Sequence, residues 1–298
     1  MSALARAPLF DSVAIIGVGL IGSSLARVIR RERLARRIVG CDSSAAVRHK
    51  LKALALTDAV TGDAGVAAKG ADLVVVCTPI SSYAALGRII GPRLGRGAIL
   101  SDVGSVKQAA IDTLGRHIAK GAHFVPGHPV AGTENSGPEA GFADLFAGRW
   151  CILTPDKRVP ARAIRRVAEL WRRAGMRVET MDAAHHDRVL AITSHVPHLI
   201  AYTIVNTAND LEAHLKAEVI KFAAGGFRDF TRVAASDPVM WRDVFLHNRE
   251  AVLEMMGRLY EDIALLQKAI RAGEGKTLQD VFTRARRLRR SIVAAKQD

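Results

Sequence analysis

Short apolar, β-branched runs recur along the first 181 residues at 13–16, 38–41, 73–77, 98–101, 124–126, 151–153 and 177–180. Each is too short for a helix, and each predicts a buried strand. Between them, apolar positions at helical spacing predict helices over 21–31, 45–55, 82–93, 106–119 and 160–174. Strand alternating with helix is the pattern of βαβ units, so a doubly wound, mostly parallel sheet is expected. From Asp182 onward the strand runs stop and long helical patterns take over. Breaks are expected at Gly225-Gly226, at Ser236-Asp237-Pro238 and at Gly273-Glu274-Gly275. At the second of these, Ser or Asp is suited to cap a helix with Pro in its first turn. The predicted organisation is an α/β domain over residues 1–181 and an all-helical domain over 182–298.

One stretch of the helical half, 189–209, has no charged residue, a length that would span a bilayer. It also contains His195, Pro197, His198, Asn206 and Asn209, which favours a helix buried between domains or subunits and no membrane partner. The N-terminal residues lack the apolar run of a signal peptide. Cys41, Cys77 and Cys151 lie far apart with no paired spacing, as expected of reduced thiols in the cytoplasm.

Composition adds one oddity to a chain of 298 residues that is 49% hydrophobic: a formal net charge of +14. Residues 1–181 hold 26 basic and 14 acidic side chains, while 182–298 hold 17 and 15. The excess gathers in three arginine clusters, at 27–37, 157–177 and 284–290. Such clusters raise nucleic acid as a partner. With 5% aromatic residues and none interleaved for base stacking, solvated helix faces and no nucleic acid are the better expectation.

Candidate chemistry begins at Gly17-Val18-Gly19-Leu20-Ile21-Gly22, between the first strand and the first helix. A lone GxGxxG is a weak signal, but this context makes it a dinucleotide fingerprint of Rossmann type. Gly17 serves a tight turn, Gly19 the approach of a pyrophosphate and Gly22 close helix packing, with phosphate charge over the helix N-terminus where Leu20 and Ile21 sit. Asp42 ends the next strand, twenty residues beyond Gly22, where a carboxylate accepts hydrogen bonds from a ribose and repels a 2′-phosphate. NAD is therefore expected over NADP, although Arg48 leaves NADP open. Cys77-Thr78-Pro79 ends another strand and is expected beneath the nicotinamide or its ribose, with Cys77 packing as a small hydrophobe.

Two further strand ends are unusually polar: Ser101-Asp102-Val103-Gly104-Ser105-Val106-Lys107 and Gly127-His128-Pro129-Val130-Ala131-Gly132-Thr133-Glu134. Both fall on the crevice side of the expected sheet, with His128 on a loop restrained by Pro129. An isolated histidine is more often structural. His195 and His198 are three residues apart, but no third ligand with zinc-like spacing accompanies them, so no metal is expected.

In order along the chain, the fingerprint with Asp42, then DVGSVK, GHPVAGTENSG, SHVPH and GGFRDFTRVAASDPVMW resemble the prephenate/arogenate dehydrogenase family of tyrosine biosynthesis. The resemblance spans 13–241. It implies NAD(P)-dependent oxidative decarboxylation of prephenate to 4-hydroxyphenylpyruvate, or of arogenate to tyrosine, by a homodimer joined through the helical domain. It further implies His128 as proton acceptor with Ser105 sharing its hydrogen bond, and Arg228 as the guanidinium for a substrate carboxylate. His195 and His198 become active-site residues, and Thr133 and Glu134 flank the substrate mouth. Trp241 matches the family motif but reads equally well as a core aromatic, and Arg228 reads equally well as an ordinary ion pair. No chorismate mutase precedes the domain and no regulatory domain follows it in this reading. The related β-hydroxyacid and 6-phosphogluconate dehydrogenases use a lysine where this chain offers His195-Val196-Pro197-His198.

Overall fold

The computed structural model describes residues 7–133, 135–211, 218–219 and 221–294. Strands β1 (Phe10–Ile16), β2 (Ala35–Cys41), β3 (Ala59–Thr61), β4 (Leu73–Val76), β5 (Ile99–Asp102) and β6 (His123–Val125) form one sheet in the order β3-β2-β1-β4-β5-β6. All neighbours in it are parallel. Side chains alternate across the pleat, so Val13, Ile15, Leu73 and Val75 enter one core while Ala14, Ile16, Val74 and Val76 enter the other. Helices α1 (Leu20–Arg31), α2 (Ala45–Ala53), α3 (Ala64–Ala68), α4 (Tyr83–Ile90), α5 (Lys107–Thr113) and α6 (Ala161–Arg173) accompany the strands. The first core is completed by Leu25 and Ile29 of α1 with Val167 and Trp171 of α6, the second by Tyr83 and Ile90 of α4 with Ala110 of α5. Continuous apolar strands are thus accounted for: both faces of the sheet are covered.

Two strands were not legible in the sequence. β3 is three residues long with every side chain half-buried, too weak a pattern to register. The other is β7 (Gly127–Pro129), which departs from the expected loop around His128. It pairs antiparallel with β8 (Trp150–Leu153), His128 opposite Ile152, and β8 runs parallel to β9 (Arg177–Thr180). The runs at 151–153 and 177–180 therefore build a second, three-stranded sheet rather than extend the first.

Beyond β9 the described elements are helical. They are α7 (Ala183–Leu190), a π-helical turn over Ala191–His195, α8 (Val196–Asn209), α9 (Gly225–Thr231), α10 (Pro238–His247), α11 (Arg249–Ala272) and α12 (Gly275–Ala294). Gly225-Gly226, expected as a break, instead opens α9. Asp237 caps α10 as its position suggests, its carboxylate accepting from the Val239 and Met240 N–H groups at 2.8 and 2.9 Å. The uncharged 189–209 stretch is long and apolar enough to cross a membrane. It is only partly buried within the chain: Val196 and Ala201 are covered while Ile192, Ile204 and Val205 are exposed. Residues 1–248 and 249–298 form two compact units. The second unit comprises α11 and α12, joined at Gly273, whose φ of +69° suits the left-handed turn.

Candidate active site

The strand order reverses at β1 and β4, and ligands of doubly wound sheets bind beyond the carboxyl ends of the strands at that point. Gly17 stands there at φ +85°, and a Cβ on it would lie 2.5 Å from Thr78 Cγ2. The fingerprint turn therefore packs directly on the Cys77-Thr78-Pro79 turn. A Cβ on Gly22 would meet the Gly17 carbonyl oxygen at 2.3 Å, whereas one on Gly19 would have nothing within 4 Å. Two glycines are thus fixed by internal crowding and the third borders open space, the arrangement a pyrophosphate needs. No side chain caps the start of α1, where Leu20 and Ile21 lie, leaving its first N–H groups for an anion.

Asp42 lies just past β2, where its Oδ2 accepts from the Val18 N–H at 3.0 Å and its Oδ1 from the Ser44 N–H at 2.9 Å. Arg48 is engaged elsewhere, donating from Nη1 to the carbonyls of Asp42 and Ser43. Cys77 is half-buried, and desolvation pushes its thiol well up, in keeping with packing rather than redox work. These residues fit a dinucleotide.

The second sheet brings His128 to the crevice side. Its ring is 7% exposed, and Nδ1 lies 2.9 Å from Nε2 of His186. His186 Nδ1 in turn lies 2.8 Å from Asp187 Oδ1. Asp187 also accepts the Lys107 and Gln108 N–H groups, at 2.8 and 3.0 Å. Desolvation, reinforced by the charge of Lys107, holds the His128 ring well below the ordinary histidine range, so it is neutral at pH 7. His186 and Asp187 escaped sequence reading because they form part of an ordinary amphipathic helix start; only the fold sets α7 against β7.

Beneath His128, Lys107 and Asp102 form a fully buried ion pair at 2.5 Å. Lys107 Nζ also donates to the Gly127 carbonyl at 2.6 Å. Asp102 accepts from Tyr83 Oη, the Gly104 N–H and the Gly127 N–H. A pair buried this way costs desolvation and is retained only if its remaining bonds are made; here both ends of Gly127 are clamped, which orients the residue that follows. Ser105, on the same polar strand end, is half-buried.

His195 is fully buried rather than open to the crevice. Its Nδ1 accepts from Asn248 Nδ2 at 3.0 Å, and the same amide donates to the Asp187 carbonyl. Burial lowers its pKa to about 4. His198 is half-buried, stacked on Trp241 with ring centroids 3.7 Å apart, and donates from Nδ1 to the Ser194 carbonyl. Trp241 is 7% exposed, a core aromatic, and it backs the His198 ring. Thr133 is exposed, and Glu134 lies outside the described residues.

Arg228, which the resemblance implies for a substrate carboxylate, lies at the surface. Its side chain is 76% exposed and lies 3.6 Å from Asp229, an ordinary ion pair. The arginine close to His198 is Arg232, whose charge contributes to lowering the pKa of that ring. One helical turn separates the two, and motif spacing alone did not choose between them.

Comparison with known proteins agrees with this geometry. A family model for the nucleotide-binding domain of prephenate dehydrogenase matches residues 25–180, and one for its dimerization domain matches 182–284. The chain is 41% identical over 283 residues to the cyclohexadienyl dehydrogenase of Zymomonas mobilis, covering 95% of this chain and 96% of that one. It is 31% identical to the prephenate dehydrogenase of Bacillus subtilis over 93% of this chain and 74% of that one. The crystal structure of an A. aeolicus prephenate dehydrogenase in complex with hydroxyphenyl propionate and NAD+ superposes with a TM-score of 0.85 at 31% identity, covering 95% and 98% of the two chains. From its dinucleotide crevice through its helical half, this chain belongs to the prephenate dehydrogenase family.

Proposed function

We propose that the protein catalyses NAD-dependent oxidative decarboxylation of prephenate to 4-hydroxyphenylpyruvate, of arogenate to tyrosine, or of both, in tyrosine biosynthesis. The observation that carries this reading is a neutral, nearly buried His128 with one ring nitrogen anchored, next to a dinucleotide crevice. NAD, when bound, supplies the two-electron acceptor at its nicotinamide. His128 accepts the proton of the ring C4 hydroxyl as C4 is oxidised and carbon dioxide leaves C1, giving a phenol. Ser105 shares that hydroxyl. Aromatisation supplies much of the driving force, so the protein's main contributions are placement and a proton acceptor.

The substrate carboxylates need cations. Arg232, near His198, meets that requirement better than Arg228, whose side chain points largely into solvent. His198 contacts substrate and His195 supports it from within. Thr133, exposed on the loop after His128, lines the mouth. NAD is preferred over NADP because Asp42 occupies the ribose position while Arg48 is bound to two carbonyls. The cytoplasm is the proposed location, and small-molecule substrates rather than nucleic acid or membrane are the proposed ligands.

Steady-state assays with both substrates against both cofactors test the reading. Turnover of at least one substrate with NAD favoured is expected. His128→Asn is expected to lower kcat by roughly 10²- to 10⁴-fold with KM little changed. An unchanged kcat would remove His128 from the chemistry.

A further inference from the structure

The geometry points to His186 and Asp187 as positioning residues that lock His128 in one tautomer, with the proton on Nδ1 and the lone pair on Nε2 facing the substrate. The inference rests on the functional reading above for its purpose, but on bond direction for its content.

The direction can be followed from one end. Asp187 accepts a backbone N–H from the start of α5 on each of its two oxygens, at 2.8 and 3.0 Å, bonds that favour the acceptor-only carboxylate. An ionised Asp187 only accepts, so the 2.8 Å contact to His186 requires the proton on His186 Nδ1. A neutral His186 then presents a lone pair at Nε2. Burial disfavours its charged form and lowers its pKa, so neutrality is its ordinary condition. Across the 2.9 Å contact, His128 Nδ1 must be the donor. Its Nε2 makes no hydrogen bond within the described residues, yet it is not sealed from solvent. That nitrogen is the one left to accept a proton.

The neighbouring groups do not compete for this role. Lys107 is committed to Asp102 and the Gly127 carbonyl, and His195 accepts from Asn248. Cys151, on β8 opposite Pro129, is held as a thiol by burial. Asn248 ties the carbonyl of Asp187 in place from a third element. Without the dyad, the proton of a neutral imidazole would be free to occupy Nε2, where it would donate to the substrate hydroxyl instead of accepting from it. Removing an orienting partner of this kind reduces turnover while leaving substrate affinity largely intact.

Nitrogen-15 NMR on the histidine-labelled full chain, with the His128 signals assigned by their loss in His128→Asn, reads the tautomer directly. A protonated Nδ1 and an unprotonated Nε2 are expected at pH 7.5; the reverse pattern overturns the inference. Kinetics supply the second arm. His186→Phe is expected to lower kcat about 100-fold with KM changed by less than about threefold. His186→Gln, whose side-chain oxygen can accept from His128, is expected to recover most of that loss. Unchanged kcat in His186→Phe, or a loss confined to KM, overturns the positioning role. Should His186→Phe fail to fold, the spectrum of the unaltered protein and the glutamine variant still decide. A wild-type protein that turns over neither substrate defeats the functional reading instead, and leaves the tautomer measurement standing.

Discussion

Single residues in this protein are explained mostly by what they are prevented from doing. Gly22 cannot carry a Cβ, because the Gly17 carbonyl occupies the space 2.3 Å away. Lys107 cannot move freely, because Asp102 and the Gly127 carbonyl hold its ammonium in a place with no solvent exposure. The two arginines near the site differ by the same logic. Arg228 is largely solvated beside Asp229, where an exposed pair contributes little, whereas Arg232 is felt by the His198 ring. A guanidinium that grips a carboxylate with two parallel bonds is not replaced by an ammonium. Arg232→Lys is therefore expected to raise KM for prephenate about tenfold or more, and Arg228→Lys to change it less than about threefold. Steady-state KM values for the two variants check the assignment, and the opposite ranking would return the role to Arg228.

Among elements, the second sheet and the helical run after it matter most. Pro126 separates β6 from β7, so the strand carrying His128 leaves the main sheet and pairs with β8 instead. The π turn at Ala191–His195 interrupts the run between α7, which supplies His186, and α8, which supplies His198. A π turn of this kind commonly marks a functional site. The arginine-rich helices are tied down locally. Arg30 donates to the Leu56 carbonyl and pairs with Asp58, Arg173 donates to the Glu32 carbonyl, and Arg166 donates to the Leu9 carbonyl while stacking on Phe10. Two of the three basic clusters thus staple loops and strand ends. Apolar side chains of α8, α11 and α12 remain exposed, including Ile204, Val205, Tyr260 at 75% and Leu288 at 64%. Together with the match to a dimerization domain, these faces are proposed to be covered by a second copy of the chain. Light scattering of the purified protein is expected to give twice the monomer mass of 32.1 kDa, and a monomer across micromolar concentrations would refute it.

For the molecule as a whole, the buried histidines set an acid limit. Burial lowers the pKa values of His128, His186, His195 and His198 alike, with His195 brought from 6.5 to about 4. As pH falls below 6.5 the unfolded chain takes up protons that the folded chain refuses. The stability present above about pH 6.5 is then lost progressively, by about 3 kcal/mol for His195 alone once pH 4 is reached. Denaturant titrations at pH 7.5 and 5 are expected to show a clearly lower midpoint at pH 5; equal midpoints would mean that the rings protonate in place. The net charge of +14 acts at the same scale, attracting a dianionic substrate and a pyrophosphate at low salt.

What could be read without coordinates was whatever is local and periodic. The strand–glycine–helix–acid order from Val13 to Asp42 is written within thirty residues, and its meaning depends only on backbone sterics and the pleat. The same holds for the Asp237 cap, and for the family motifs that singled out His128 and His198. Tertiary structure alone decided what depends on distant segments meeting. His128 belongs to β7 because β8 arrives from more than twenty residues away. His186 orients it because α7 packs across the start of α5, where Asp187 accepts the Lys107 N–H from 80 residues away in sequence. Hydrophobic period and motif spacing carry no information about such pairings, since a hydrogen bond between remote residues leaves no trace in either segment alone.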